Sequence, residues 1–258
     1  YKLADEIRDQ VGHLIVDECH RTPSRTFTQA VTAFDSRYML GLSATPWRRD
    51  QLTRLIYWFL GDRVHQVDAK ALQDQGHILK ADIVWRETEF ITGYDPSTEY
   101  SQMLSELTQD PTRNALIAQD VFKAVGNGGG TCLVLSDRKE HCQDLSTLLD
   151  AYQIDAPVLT GDTGKRDRRD IVDRLNHGGI KVLCATGQLI GEGFDCSGLG
   201  TLFLTTPIRF DGRVLQYLGR VLRPAPGKDR AKIFDYVDGF VGVLRASAKV
   251  RERVYANL

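Results

Sequence analysis

Two carboxylates, a thiol and an imidazole stand side by side in residues 17–20, which read D-E-C-H. The residues before them, 13–16, are mostly aliphatic and β-branched, a pattern typical of a buried parallel strand. Ligands of open α/β sheets bind at the carboxyl ends of such strands. Asp17 could hold Mg²⁺ there through its water shell, and Glu18 could orient the water that attacks a phosphate. A strand that ends in a solvated acidic turn would show the same residues.

A second buried strand is predicted at residues 37–43, and it ends at the small residues Ser-Ala-Thr. Ser43 and Thr45 could relay hydrogen bonds between a nucleotide site and a neighbouring cleft. A hydroxyl cap on the following turn would use the same side chains equally well. Only the presence of Asp17 and Glu18 in the same chain favours the relay.

Thr186 and Gly187 follow a third predicted strand and open a glycine-rich turn that runs to Gly193 and Asp195. Exposed backbone N–H groups and a hydroxyl at that place would suit a phosphate of a nucleic-acid strand. The glycines permit tight passage of the backbone. Taken alone, the turn is weak evidence for such a site.

Arg220 and Arg223 stand three residues apart on a predicted helix and would share one face. A guanidinium that faces a triphosphate stabilises the charge that develops in phosphoryl transfer, by ~10³–10⁵ in rate for an arginine finger. Gln216, one turn earlier, fits an orienting role. The alternative is a pair of surface arginines whose stems lie over the sheet.

In this order, the blocks resemble the motifs of the DEAD/DEAH-type helicases and translocases of superfamily 2. Residues 17–20 resemble motif II, and residues 43–45 resemble motif III. Residues 185–195 are similar to motif V, and residues 216–223 fit the pattern Q-x-x-G-R-x-x-R of motif VI. One three-letter match says little, but four ordered matches that span most of the chain are specific.

The resemblance implies ATP and Mg²⁺ as cofactors and assigns a role to each block. Asp17 and Glu18 would bind the metal and take part in catalysis, and His20 would couple the nucleotide site to neighbouring motifs unless it is only structural. Further catalytic residues would be Gln216, Arg220 and Arg223, with Gly193 and Asp195 at the nucleotide and Ser43 and Thr45 in coupling. The expected nucleic-acid contacts are Arg138, Thr160, Gly161, Thr186 and Gly187.

From Thr131 onward, predicted strands and helices alternate at a spacing that indicates a parallel sheet with right-handed crossovers. The fold class is therefore α/β, and the resemblance implies RecA-like parallel sheets flanked by helices, as one partial and one complete helicase lobe. Residues 1–78 would be the C-terminal part of the first RecA-like domain, with motifs II and III. Residues 79–258 would be the second, complete domain, with motifs IV to VI. Short strands are also predicted at 63–67 and 156–160.

The phosphate-binding pattern G-x-x-x-x-G-K-[ST] of this family does not occur in the printed sequence. Residues 161–166 come nearest, but their spacing is wrong and no hydroxyl residue follows the lysine. We therefore expect this chain to lack the N-terminal half of the first motor domain, which would be its partner. We also expect it to be inactive in ATP hydrolysis by itself.

The composition is that of a soluble globular protein, with 42% hydrophobic and 26% charged residues among 258. No apolar run approaches the ~18 residues of a membrane span. The five cysteines include no C-x-x-C pair, which argues against a zinc site or a disulfide framework and for a reducing, cytoplasmic compartment. The net charge of −1 does not indicate a nucleic-acid binder. Many of the 33 basic residues are arginine, however, and a guanidinium binds phosphate through two N–H groups better than a lysine ammonium does.

These observations predict a portion of an ATP-dependent helicase or double-stranded DNA translocase. Its partner would be nucleic acid, with DNA preferred over RNA and no membrane. The preference for DNA follows from the resemblance alone, because Cys and His at 19–20 and the arginine-rich block 216–223 suit the repair-helicase and restriction-motor branch. The alternative is a non-catalytic module, derived from a helicase, that binds nucleic acid or a partner without turnover.

Overall fold

A computed structural model describes residues 6–21, 24–44, 52–128, 130–187, 196, 198–208 and 211–256. Its contacts divide the chain into two compact units, Tyr1–Val67 and Asp68–Leu258. The segment just before residue 80 is tied to the second unit, because the Leu79 N–H donates to the Leu222 carbonyl at 2.8 Å. The domain assignment at residues 78 and 79 stays a prediction.

The first unit is built around two short parallel strands, β1 (His13–Val16) and β2 (Tyr38–Gly41), in register from His13 opposite Tyr38. Helix α1 (Arg25–Thr32) connects them, and helix α2 (Thr53–Leu60) follows β2. Short 3₁₀ turns lie at Arg8–Gln10 and Cys19–Arg21. The buried core of the described part of this unit is small and consists of Val16, Cys19, Val31 and Ile56.

The predicted strand at 63–67 is wrong, because these residues form no ladder with a neighbour. A cavity of about 520 Å³ lies between them and residues 39–44 of the β2 region. Val64 and Val67, the two apolar residues of the segment, are largely exposed. A strand is stabilised by pairing and by a covered face, and this segment has neither among the described residues.

The second unit contains one six-stranded sheet in the order β3-β8-β7-β4-β6-β5, in which every neighbouring pair is parallel. Its strands are β3 (Lys80–Glu87), β4 (Thr131–Ser136), β5 (Val158–Leu159), β6 (Val182–Thr186), β7 (Leu199–Leu204) and β8 (Arg230–Val237). Its helices are α3 (Ala69–Asp74), α4 (Tyr100–Gln109), α5 (Pro111–Gly126), α6 (Lys139–Asp150), α7 (Lys165–Asn176), α8 (Asp211–Val221) and α9 (Gly242–Tyr255). The α/β fold with a parallel sheet flanked by helices is therefore confirmed.

Both faces of this sheet are covered. On β4, Leu133 and Leu135 pack into the core on one face, while Cys132 and Val134 pack into the core on the other. Alternate residues of a strand point to opposite faces, so a strand covered on both sides has no polar face to show in its sequence. This explains why β4, β6 and β7 read as continuous aliphatic runs.

Helix termini follow local sequence signals. Helix α5 begins at Pro111 because the Asp110 side chain caps it, accepting from the Arg113 N–H at 2.8 Å. Helix α2 ends at Leu60 and is capped by Gly61, whose φ of 80° favours a residue without a Cβ. Strand β5 has two residues rather than the five predicted at 156–160. In the part of the chain that the structure describes, no helix has the length and apolar character of a membrane span.

Candidate functional site

The D-E-C-H residues lie at the carboxyl end of β1, as predicted. Asp17 is exposed, and its Oδ1 accepts the Glu18 N–H at 2.8 Å. Glu18 itself has a φ of 50°, in the left-handed region that only a few per cent of non-glycine residues occupy. Such conformations persist where the surroundings impose them, often at active sites. The exposed Asp17 carboxylate suits Mg²⁺, which keeps several waters and is held in enzymes by one or two carboxylates together with substrate phosphates, whereas Glu18 is half-buried and its Oε2 is inaccessible.

His20 brings the two motifs of the first unit together. Its Nδ1 lies 3.0 Å from the Ser43 Oγ and 3.2 Å from the Glu18 Oε2. The backbone fixes the same geometry, because the Cys19 N–H donates to the Leu42 carbonyl at 2.9 Å. Glu18, His20 and Ser43 thus form one contiguous group. Thr45, the second predicted coupling residue, lies outside the described residues.

Cys19 belongs to the packing beneath this group rather than to its chemistry. The residue is buried, and burial, with a smaller effect from the carboxylates of Glu18 and Asp17, raises the pKa of its thiol. A Cβ added at Gly41 would lie 2.9 Å from the Leu60 Cδ1 and 3.2 Å from the Cys19 Sγ. Glycine at this position of β2 lets the turn after β1 pack closely against the strand.

The predicted nucleic-acid contacts lie at the carboxyl edge of the second sheet. Because β4, β5 and β6 are parallel neighbours, the residues that follow them meet at one edge, and Ser136 pairs with Thr186 in the register. Thr160 and Gly161 follow β5 on the same side. The structure brings these residues together, whereas Gly193 and Asp195 lie outside the described residues.

Some of these polar groups already have intramolecular partners. The Thr160 Oγ1 accepts the Asp162 N–H at 3.3 Å within a local turn. The Arg138 Nη2 donates to the Oγ and the carbonyl of Ser101 on α4, at 3.0 and 3.3 Å. The guanidinium is thereby oriented by α4, and its Nε is buried.

Gly187 is in close contact with motif VI. A Cβ at this position would lie only 2.1 Å from the Tyr217 Oη and 3.3 Å from the Asp137 Oδ1. The glycine is required here by close approach of the α8 side chain, not by backbone flexibility. Tyr217 is 2% exposed, so α8 is packed firmly against the end of β6.

Helix α8 carries motif VI but ends earlier than expected. Gln216 and Arg220 lie on the helix, which ends at Val221. Arg223 is exposed and lies beyond the helix, so the predicted shared helical face is wrong for this residue. The cause is Pro224, because the residue before a proline is disfavoured in the α conformation.

Lys228 was missed by the sequence analysis. Its Nζ donates to the carbonyls of Val221 at 2.5 Å and Arg223 at 2.8 Å, which are left over at the end of α8. A cation near a helix C-terminus is favourable. Partial burial lowers the pKa of Lys228 to about 8. The signal that could have found it is the turn Pro-Ala-Pro-Gly-Lys directly after motif VI, which folds the chain back onto the helix end.

Comparison with known proteins gives two matching families. The family described as "Helicase conserved C-terminal domain" matches residues 111–225, and "Type III restriction enzyme, res subunit" matches residues 2–48. The first match includes the edge residues and motif VI, and the second includes motifs II and III. Both regions in which the structure places the candidate residues therefore have a family match of their own.

Individual relatives agree. A protein of Acanthamoeba polyphaga mimivirus assigned as an ATP-dependent RNA helicase is 25% identical over 97% of this chain and 48% of its own length. The DNA 3'-5' helicase XPB of Kineococcus radiotolerans is 25% identical over 88% of this chain and 40% of its own. The chain thus spans about half the length of the curated relatives it matches, or less.

A solved structure shares the fold. A Vibrio vulnificus fragment described as an HsdR subunit of a type I restriction enzyme superposes with a TM-score of 0.70 at 20% identity, covering 91% of this chain and 45% of that one. The ordered motifs, the parallel sheets and these matches lead to one assignment: the chain belongs to superfamily 2 of the helicases and translocases.

Proposed function

We propose that this chain is part of an ATP-driven motor that moves along or unwinds nucleic acid. The observation that carries the proposal is the contact of His20 with both Glu18 and Ser43, at distances of 3.2 and 3.0 Å. The carboxylate that would orient a hydrolytic water thus contacts an imidazole that is also within hydrogen-bond distance of a residue of the next motif. A change at the nucleotide can therefore be passed on to the neighbouring strand.

Asp17 and Glu18 would perform the hydrolytic part. Asp17, which is exposed at the end of β1, would hold Mg²⁺, and the ion when bound would neutralise charge on the phosphates. Glu18 would orient the attacking water and accept its proton. Gln216, Arg220 and Arg223 would contribute to nucleotide recognition and to the stabilisation of charge in the transition state.

The carboxyl edge of the second sheet would contact the nucleic-acid backbone. Gly161 would offer a backbone N–H group from an exposed position, and Arg138 would offer a guanidinium held in place by α4, while Thr186 and Gly187 lie buried at the end of β6. Contacts of this kind bind any sequence. We propose DNA rather than RNA as the substrate, on the residue types of motifs II and VI, although one relative named above is a DNA helicase and another is assigned to RNA.

ATP hydrolysis tests the catalytic part. A longer protein that carries this chain together with a G-x-x-x-x-G-K-[ST] segment should release phosphate, and Glu18→Gln should lower its kcat by orders of magnitude. Glu252→Gln, an exposed glutamate on α9, is the matched control. Near-normal kcat in Glu18→Gln would remove Glu18 from the role of catalytic base. The 258-residue chain alone should not turn over ATP.

Nucleic-acid binding tests the other part. The chain should bind a fluorescein-labelled oligodeoxythymidylate with an affinity that falls steeply with salt and depends little on sequence. Arg138→Ala should weaken binding, whereas Arg245→Ala, which removes the same charge from an exposed site on α9, should not. Affinity that is insensitive to ionic strength would contradict a backbone contact.

A further inference from the structure

A buried histidine lies directly behind the loop 136–138, and none of the proposed chemistry uses it. His141, near the start of α6, is 1% exposed. Its Nδ1 lies 3.0 Å from the Ser136 Oγ and its Nε2 lies 2.9 Å from the Asn114 Oδ1. Burial, and secondarily the charge of Arg113, lowers the pKa of His141 to about 3. The imidazole is therefore neutral at ordinary pH and has one N–H and one lone pair.

The partners determine which ring nitrogen carries the proton. The Asn114 Nδ2 donates to the Thr108 carbonyl at 2.8 Å, so the Oδ1 of the same amide faces His141. An amide oxygen can only accept, and so the proton must be on Nε2. Nδ1 is then the acceptor, and the Ser136 hydroxyl must donate to it.

The Ser136 Oγ uses a remaining lone pair for the loop itself, because it accepts the Arg138 N–H at 3.0 Å. The result is a hydrogen-bond chain with one direction, from the Arg138 N–H through Ser136, His141 and Asn114 to the Thr108 carbonyl. Thr108 lies near the end of α4, the helix whose Ser101 holds the Arg138 guanidinium. Both the backbone and the side chain of Arg138 are thus anchored to α4, at two separate places.

The loop between these anchors lies at the candidate nucleic-acid edge. The Asp137 N–H donates to the Thr206 Oγ1 at 2.9 Å, and the Asp137 Oδ1 would be 3.3 Å from a Cβ on Gly187. A shift of Ser136 would therefore move Arg138 and disturb the contact with Gly187. The hydrogen bonds of the His141 ring reach the Arg138 backbone through Ser136.

We propose that His141 is a positioning residue for nucleic-acid binding: as the neutral Nε2–H tautomer it holds Ser136, and through Ser136 it fixes the backbone of Arg138 in the orientation that contacts phosphate. This proposal rests on the proposed function of the sheet edge. Under this proposal the acceptor at Nδ1 supports nucleic-acid binding, whereas the donor at Nε2 contributes only to the stability of the fold.

Two substitutions separate these halves. In His141→Asn the amide oxygen can take the place of Nδ1 and keep the bond from Ser136, while the bond to Asn114 is lost. In His141→Gln the longer side chain can place an N–H near Nε2 and keep the bond to Asn114, while Ser136 loses its acceptor. Each variant leaves one buried polar group without its partner, so the two should be destabilised to a similar degree.

Binding of the fluorescein-labelled oligodeoxythymidylate at low salt should distinguish them. His141→Asn should bind within about twofold of wild type, and His141→Gln should bind about tenfold more weakly, the value of one charge-assisted phosphate contact of ~1.4 kcal/mol. Melting temperatures measured on the same samples report the structural cost. If both variants lose affinity to the same degree, and this loss follows their decrease in melting temperature, His141 has a structural role only and the proposal is overturned.

The tautomer can be tested without any ligand. Nitrogen NMR of the chain with labelled histidine should show the Nε2–H form of His141, with no protonation between pH 7 and about pH 5. An Nδ1–H form, or titration near pH 6.5, would overturn the directed chain whatever the binding results. Lack of oligonucleotide binding by wild type would overturn the proposed function and this role with it, whereas wild-type binding that is unchanged in His141→Gln would overturn this role alone.

Discussion

Strand β1 in the first unit and strand β6 in the second are both short, parallel and aliphatic, and each ends in residues with candidate chemistry. Their surroundings differ. All residues of β6 are buried between β4 and β5, with helices on both faces. In β1 only Val16 is buried, and among the described residues the strand pairs with β2 alone. Ile15 remains 57% exposed.

Another pair of strands, β2 in the first unit and β7 in the second, shows the same difference in burial. On β2 and just after it, Tyr38, Leu40 and Leu42 are exposed by a third or more, whereas every residue of β7 is buried. Full burial of such a side chain is worth ~1.5–3 kcal/mol, so the described part of the first unit forgoes much of the hydrophobic stabilisation that its sequence could provide. An aliphatic strand pattern therefore indicates the capacity to be buried, and the surrounding elements decide whether it is.

The largest expected effect of this difference is on hydrogen exchange. Amides of β2 (38–41) should exchange about 10⁴-fold faster than those of β6 (182–186), because a marginal two-stranded sheet opens locally while a central strand opens only with its whole unit. Exchange measured by NMR or mass spectrometry on the monomeric chain would show it. Equal protection of the two strands would mean that the first unit is as well covered as the second.

The second unit should be the more sensitive to acid. The pKa of His141 is lowered to about 3, against an ordinary value of 6.5, so the folded state excludes a proton that the unfolded state binds. The contribution of neutral His141 to the free energy of unfolding is complete above pH 6.5. It is lost as the pH falls from 6.5 to 3, on the order of 5 kcal/mol in total. Urea unfolding followed at pH 7 and pH 4 measures this loss. His141→Asn, which has no titrating ring, should show a smaller loss over the same interval.

Breaking a buried ion pair should cost nearly as much. Asp238 and Arg113 are each 1% exposed in their side chains and lie 2.8 Å apart, and Asp238 also accepts the Thr88 hydroxyl at 2.6 Å. Asp238→Asn should lower the free energy of unfolding by about 3–5 kcal/mol, because it leaves a buried guanidinium without its counter-charge. Asp82→Asn breaks the exposed pair with Arg230 and should cost under ~1 kcal/mol. A similar cost for both would show that burial does not determine the strength of these pairs.

The smallest effect compares two glycines that pack closely. Gly187→Ala places a Cβ 2.1 Å from the Tyr217 Oη in a rigid core, and should destabilise the second unit by ~1–3 kcal/mol. Gly41→Ala meets the Leu60 Cδ1 at 2.9 Å, the end of a half-buried side chain that can move, and should cost less. Tyr217→Phe removes the nearest atom and should restore part of the loss in Gly187→Ala. A larger loss of stability in Gly41→Ala than in Gly187→Ala would mean that the first unit is the more rigid of the two at these contacts.

Much of the fold was accessible from local pattern. Strand β4 (Thr131–Ser136) begins where the alternation of strands and helices was predicted to begin, and helix α7 (Lys165–Asn176) continues that alternation. These elements are governed by short-range signals, namely aliphatic runs, helical periodicity and capping residues. The motif order likewise predicted which residues would meet at the carboxyl edges of the strands, because parallel strands place their ends together.

The sequence by itself determined the family, the element order of the second unit and the candidate chemistry, since these depend on residue types and on spacing along the chain. Tertiary structure decided which of those groups already have partners. It brings Ser136 within hydrogen-bond distance of His141, orients Arg138 through a hydrogen bond to Ser101, and places the Lys228 ammonium at the end of α8. Hydrogen-bond partners far apart in sequence are chosen by packing, and no local pattern encodes them. For the same reason residues 63–67 could show a strand pattern without forming a strand, because pairing requires a neighbour that only the folded chain can provide.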